Sequence, residues 1–119
     1  DFVLLGATGG RFDHTLANLQ TVAYGLEQGV FIMIADQNNM ITMLRDSCVS
    51  MPRMEGYYLS IFSYTPCCEG ITLTGVKYPL RQAKLTNWTT LGLSNEILEE
   101  TAQISVEKGT LVVVVSKDR

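Results

Sequence analysis

The sequence has no apolar stretch of membrane-spanning length: its longest uninterrupted apolar runs, residues 30–35 and 111–115, are strand-length. A spanning helix needs roughly 20 such residues. Lys and Arg form no block or stripe, and the net charge is only −3. The basic footprint of a nucleic-acid-binding surface is therefore missing. Cysteine occurs three times, at Cys48, Cys67 and Cys68, a number that cannot pair completely. Two of the three are adjacent and no C-x-x-C occurs, which excludes the spacing of a zinc or thioredoxin-type site. This usage fits a reduced cytoplasmic protein with small buried thiols. No basic stretch leads into an apolar one at the start. Asp1 stands directly before an apolar run, which reads as a chain cut from something longer. Internal repeats and low-complexity segments are also missing.

What is present is globular in texture. Of the 119 residues, 46% are hydrophobic and 18% charged, enough for one domain, or one domain and part of another. A chain of this size buries about two-thirds of its unfolded surface, so a core forms without disulfide or metal staples. Residues 2–5 are a short apolar run followed by the glycine-rich stretch 6–10. Leu16, Leu19, Ala23 and Leu26 then recur at helical spacing on one face, with Asp13 and Thr15 as first-turn residues and Gly29 as a stop. Residues 30–35 are a second buried strand, so the chain opens with strand, glycine loop, helix, strand: one βαβ unit.

Beyond the turn cluster 36–39 the texture changes. Short strands are predicted at 40–44, 48–51, 57–64, 71–74, 83–85, 103–106 and 111–116, separated by Gly, Pro, Asn or charged residues. Residues 95–101 form one helical turn or a loop. The fold class expected is α+β and mostly β: a βαβ remnant of an α/β domain (residues 1–38), then an antiparallel β-sandwich or flattened, jelly-roll-like barrel (residues 39–119).

Chemistry concentrates after the first strand. A strand that ends in glycines and runs into a helix suits phosphate, because backbone N–H groups and the helix N-terminus converge there. The spacing is G-x-x-G-G, neither the dinucleotide fingerprint nor a Walker A loop; a plain tight turn fits the same residues. Arg11, Asp13 and His14 crowd the helix start. Arginine forks onto phosphate oxygens. Asp13 is suited to capping the helix, holding a metal or orienting a hydroxyl, and His14, the sole histidine, to ordinary hydrogen bonding or to base chemistry. Asn18 lies one turn on. Trp88, the sole tryptophan, reads as core or interface.

The string Gly6-Ala7-Thr8-Gly9-Gly10-Arg11-Phe12-Asp13-His14-Thr15-Leu16-Ala17-Asn18 resembles the G-A-T-G-G-R-x-D-H-x-L-x-N signature of bacterial thiamine pyrophosphokinases. Leu73-Thr74-Gly75-Val76-Lys77-Tyr78-Pro79-Leu80 is similar to that family's L-x-G-x-K-Y-P-L segment, and Gly92-Leu93-Ser94-Asn95-Glu96 to its G-x-S-N-E turn. Residues 104–111 follow its closing I-S-V-x-x-G-x-L pattern. The resemblance spans essentially the whole chain. It implies transfer of diphosphate from ATP, with Mg2+, to the hydroxyl of thiamine, giving thiamine diphosphate and AMP. It implies a cytoplasmic homodimer in which the C-terminal sandwich completes the partner's thiamine site. Arg11 and Asp13 are then catalytic, Thr8, Gly9, Gly10, Arg11 and His14 meet the ATP phosphates, and Ser94, Asn95 and Tyr78 bind thiamine.

One departure from the family pattern bears on activity. The resemblance also implies upstream A-D-G-G-A, G-D-x-D-S and K-x-x-T-D segments whose aspartates hold magnesium and nucleotide, and this sequence contains none of them. Asp36 and Asp46 are not in such contexts, and Glu99-Glu100 reads as a solvated loop. The expectation is no metal ligand in these 119 residues, and no turnover by them alone. The alternative is a non-catalytic, dimerising, thiamine-binding sandwich.

Overall fold

The computed structural model describes residues 2–5 and 12–117, with side chains from residue 13 onward. The elements are β1 (Phe2–Leu5), α1 (Phe12–Glu27), β2 (Ile32–Ala35), β3 (Asn39–Arg45), β4 (Cys48–Pro52), β5 (Tyr57–Ser63), β6 (Cys67–Thr74), β7 (Leu80–Thr86), β8 (Thr101–Ser105) and β9 (Thr110–Lys117). They form two sheets, ordered β1-β2-β3-β9-β5 and β4-β8-β6-β7. Every pairing is antiparallel except β1 with β2, the parallel pair expected of a βαβ unit. The sheets face each other as a sandwich; no closed barrel forms.

The five-stranded sheet is covered on both faces, which explains its near-continuous apolar strands. In β9, Leu111, Val113 and Val115 enter the core between the sheets, while Val112 and Val114 pack toward the helix side. In β3, Leu44 joins the inter-sheet core, and Ile41 and Met43 meet α1. Thr42, fully buried between them, donates its hydroxyl to the Ile32 carbonyl at 2.8 Å, so its burial leaves no orphaned polar atom. The second sheet contributes Met51, Cys68, Ile71, Leu73, Leu85, Ala102 and Ile104 to the same inter-sheet core.

Three expectations need correction. Leu16 is 48% exposed; the residues of α1 that pack into the core are Leu19, Val22, Ala23 and Leu26 instead. Trp88 is 81% exposed, which removes the core half of its core-or-interface reading and leaves the other half standing. Of the thiols only Cys68 is buried; Cys48 opens the edge strand β4 and is exposed, as the outward half of an alternating strand must be. Strand β6 starts four residues before its expected first residue. Gly70 lies within the register shift between Cys68 and Ile71 of the β6–β7 pairing, and this bulge breaks the period-two pattern that marks a strand in sequence. The expected division after residue 38 falls between β2 and β3, and the five-stranded sheet runs across it through the β2–β3 pairing.

Candidate functional site

The segment between β7 and β8 is a strap that joins the two sheets. On one side Asn95 forms an antiparallel bridge with Leu59 of β5, its N–H and C=O each paired at 2.7 Å. The Ile61 N–H donates to the Gly92 carbonyl at 3.0 Å, and the Ser94 N–H to the Ser60 hydroxyl at 2.9 Å. On the other side Val76 bridges Ile97, and the Lys77 N–H donates to the Glu96 carbonyl at 2.8 Å. Edge strand β5 is thus covered by chain rather than left open, and the strap ties it to the connection between β6 and β7.

This strap passes close to β5 because of Gly92: a Cβ there would sit 2.4 Å from Ile61 Cγ1 and 2.8 Å from the Ile61 carbonyl oxygen. Any side chain would lift it away. The close approach frames a cleft of about 290 Å³ lined by Leu73, Tyr78, Leu80, Leu91, Gly92, Leu93 and Asn95. The lining is mostly apolar and carries no charged side chain, so it favours a small neutral ring over an ion.

Ser94, Asn95 and Tyr78, separated by up to seventeen positions in sequence, are brought together here. Asn95 is 6% exposed. Its Oδ1 accepts the Tyr78 N–H at 3.0 Å and the Glu96 N–H at 2.9 Å, and its Nδ2 donates to the Tyr78 carbonyl at 2.8 Å. Tyr78 itself projects outward, 61% exposed, with the Lys77 ammonium 5.5 Å from its ring centroid. Ser94 is exposed at φ 60°. Its backbone is anchored by Ser60, and its hydroxyl has no protein partner among the described residues.

The other expected group lies elsewhere. Asp13 and His14 are exposed in the first turn of α1, where the Asp13 carboxylate accepts the His14 N–H at 2.9 Å. Helix α1 packs on β2 and β3, whereas the strap lies against β5, the edge of that sheet opposite β1. Asp13 and His14 are accordingly not among the residues that line the cleft. Thr8, Gly9, Gly10 and Arg11 lie outside the described residues. Among the described residues no three His, Cys, Asp or Glu side chains converge to hold a metal ion, so no metal-dependent step is assigned to them.

Sequence reasoning missed the walls of the cleft. Leu73, Leu80, Gly92 and Leu93 all lie inside the quoted motifs but read there as strand and turn positions. Leu91 carried only a faint signal, an apolar residue in a polar stretch.

The family profile described as "Thiamin pyrophosphokinase, vitamin B1 binding domain" matches residues 46–111, a span that includes the whole cleft. The thiamine pyrophosphokinase of Bacillus subtilis (strain 168) is 34% identical over 116 residues, covering 97% of this chain and 54% of that protein. The crystal structure of the thiamine pyrophosphokinase from Bacillus subtilis superposes with a TM-score of 0.93 at 33% identity, over 100% of this chain and 57% of the other. That of the thiamin pyrophosphokinase from Geobacillus thermodenitrificans gives 0.86 at 30% identity, over 98% and 54%. The chain thus spans little more than half the length of these relatives.

Proposed function

The chain belongs to the thiamin pyrophosphokinase family through its vitamin B1 binding domain, and on that premise we propose that it is the thiamine-binding part of an ATP-dependent thiamine diphosphokinase. The observation that carries the proposal is the uncharged cleft under the strap, inside the matched span, lined by Tyr78 and Asn95 with the exposed Ser94 next to Asn95 in the chain. An aminopyrimidine ring fits such a cleft: a flat neutral ring buries against leucine side chains and stacks on tyrosine. The Ser94 hydroxyl supplies a polar contact at the edge.

In the reaction proposed, the hydroxyethyl oxygen of thiamine attacks the β-phosphorus of ATP, the bond to the α-phosphate breaks, and AMP leaves. Positioning and charge stabilisation dominate such transfers. Arg11 is assigned to the developing phosphate charge and Asp13 to the thiamine hydroxyl. Thr8, Gly9, Gly10 and His14 are assigned to the ATP phosphates. Magnesium and most nucleotide contacts are assigned to the part of the relatives that this chain does not span. Residues 1–38 are read as the end of the ATP-binding domain, and 39–119 as the thiamine-binding domain.

The separation of the α1 group from the strap favours a homodimer in which each sandwich completes the other copy's site. Cytoplasmic location is part of the same proposal; among the described residues no helix is long and apolar enough to cross a membrane.

The test is turnover by the full-length protein. With ATP, magnesium and thiamine it is expected to form AMP and thiamine diphosphate in equal amounts; a folded full-length protein that forms neither would falsify the proposal. The exposed apolar side chains Trp88, Leu91 and Leu93 favour a second reading, a dimerising thiamine-binding module without catalysis. That reading predicts heat of thiamine binding but no AMP.

A further inference from the structure

Asn95 is the polar residue closest in sequence to the free Ser94 hydroxyl, yet its own groups are nearly all engaged inside the protein. Its peptide N–H and C=O pair with Leu59, both Oδ1 lone pairs accept N–H groups, and one Nδ2 hydrogen goes to the Tyr78 carbonyl. The amide orientation follows from this network, because only Oδ1 is able to accept the two N–H groups. Tyr78 precedes Pro79, whose ring drives it into an extended conformation, with its N–H and C=O on one side. The Asn95 amide meets both, as a neighbouring strand would. The Tyr78 ring is 61% exposed, so this grip on its peptide groups, more than packing, sets where the ring stands over the cleft.

We infer that Asn95 is a positioning residue for the cleft: it holds Tyr78 by its two peptide groups and acts on substrate through that ring rather than by touching substrate itself. The inference rests on the reading of the cleft as a thiamine site. It differs from the sequence expectation, which placed Asn95 among the groups that contact thiamine.

The test is a double-mutant cycle in the full-length protein, using Asn95→Asp and Tyr78→Ala. Aspartate keeps both accepted bonds but loses the donor to the Tyr78 carbonyl and faces that oxygen with another. Asn95→Asp is expected to raise the thiamine KM roughly tenfold, the scale of one hydrogen bond lost at a buried partner, with the ATP KM unchanged within about twofold. In the Tyr78→Ala background the same change is expected to add nothing, since no ring remains to be misplaced. Asn95→Ser, which adds no charge yet is too short to span both peptide groups, repeats the cycle if the aspartate variant does not fold.

Multiplicative KM effects would show that Asn95 meets substrate directly and overturn the inference. So would an unchanged thiamine KM in the single variants. A fall in Tm with the thiamine and ATP constants moving together would mark a merely structural residue, also against it. A wild type without thiamine-dependent AMP formation refutes the reading of the cleft itself, an outcome visible before any variant is made.

Discussion

At the residue scale the candidate site turns on a division between side chains that are free and side chains that are spent. The Ser94 hydroxyl is exposed and without a protein partner among the described residues, while its backbone is anchored to Ser60. On the proposed thiamine reading, Ser94→Ala therefore removes a contact with ligand and no side-chain bond within the described residues. It is expected to raise the thiamine KM about three- to tenfold, with stability changed by less than about 0.5 kcal/mol. Steady-state kinetics and a thermal melt on the full-length protein check both halves. The sequence made Ser94 and Asn95 look equivalent, two polar neighbours in one turn. Their difference arises from contacts seventeen and thirty-four positions away, to Tyr78 and Ser60, and local sequence holds no record of such partners.

At the element scale the strap is the decisive feature, and it was the least legible. The strands were readable because β9 and β3 are apolar runs bounded by turn residues, and β1, α1 and β2 because helical and strand periods alternate there. The strap has neither period: its residues pair singly with Leu59 and Val76 and form no ladder of their own. Two glycines keep it in place. A Cβ on Gly92 would sit 2.4 Å from Ile61 Cγ1, so Gly92→Ala is expected to destabilise by about 1–3 kcal/mol through overpacking and to distort the cleft that Gly92 lines. Gly75 combines a positive φ of 78° with a backbone neighbour, the Thr101 carbonyl oxygen, 2.5 Å from any Cβ. Gly75→Ala is expected to cost about 2–4 kcal/mol, the sum of a left-handed backbone penalty and a clash that no rotamer relieves. Denaturant melts rank the two: Gly92 has the flexible end of an isoleucine among its neighbours, Gly75 only backbone, so Gly75→Ala is the more damaging. A Gly75→Ala protein as stable as wild type would count against this placement of the strap.

At the scale of the whole molecule, Asp13 and His14 stand on α1 and the Tyr78–Asn95 pair at the strap, and the strap carries the most exposed apolar side chains. Trp88 is 81% exposed and Leu91 74%, with Leu93 and Tyr78 nearby in the same segments. Tryptophan and leucine exposed together mark association surfaces, and a single indole removes 150–250 Å² from water when covered. A standard interface covers about 800 Å² on each partner, so this patch is large enough to be its centre but not the whole of it. A polypeptide of these 119 residues carries Trp88 as its one tryptophan, which makes the patch report on itself. Its emission is expected to lie at the wavelength of a solvated indole at high dilution and to move to the blue as concentration rises, in step with the dimer fraction from sedimentation. Trp88→Tyr and Leu91→Ser are both expected to weaken the dimer, and Leu91→Ser to delay the blue shift to higher concentration. If sedimentation finds a dimer while the emission stays that of a solvated indole, the copies meet through another face. The two candidate groups would then need a different arrangement to share one substrate.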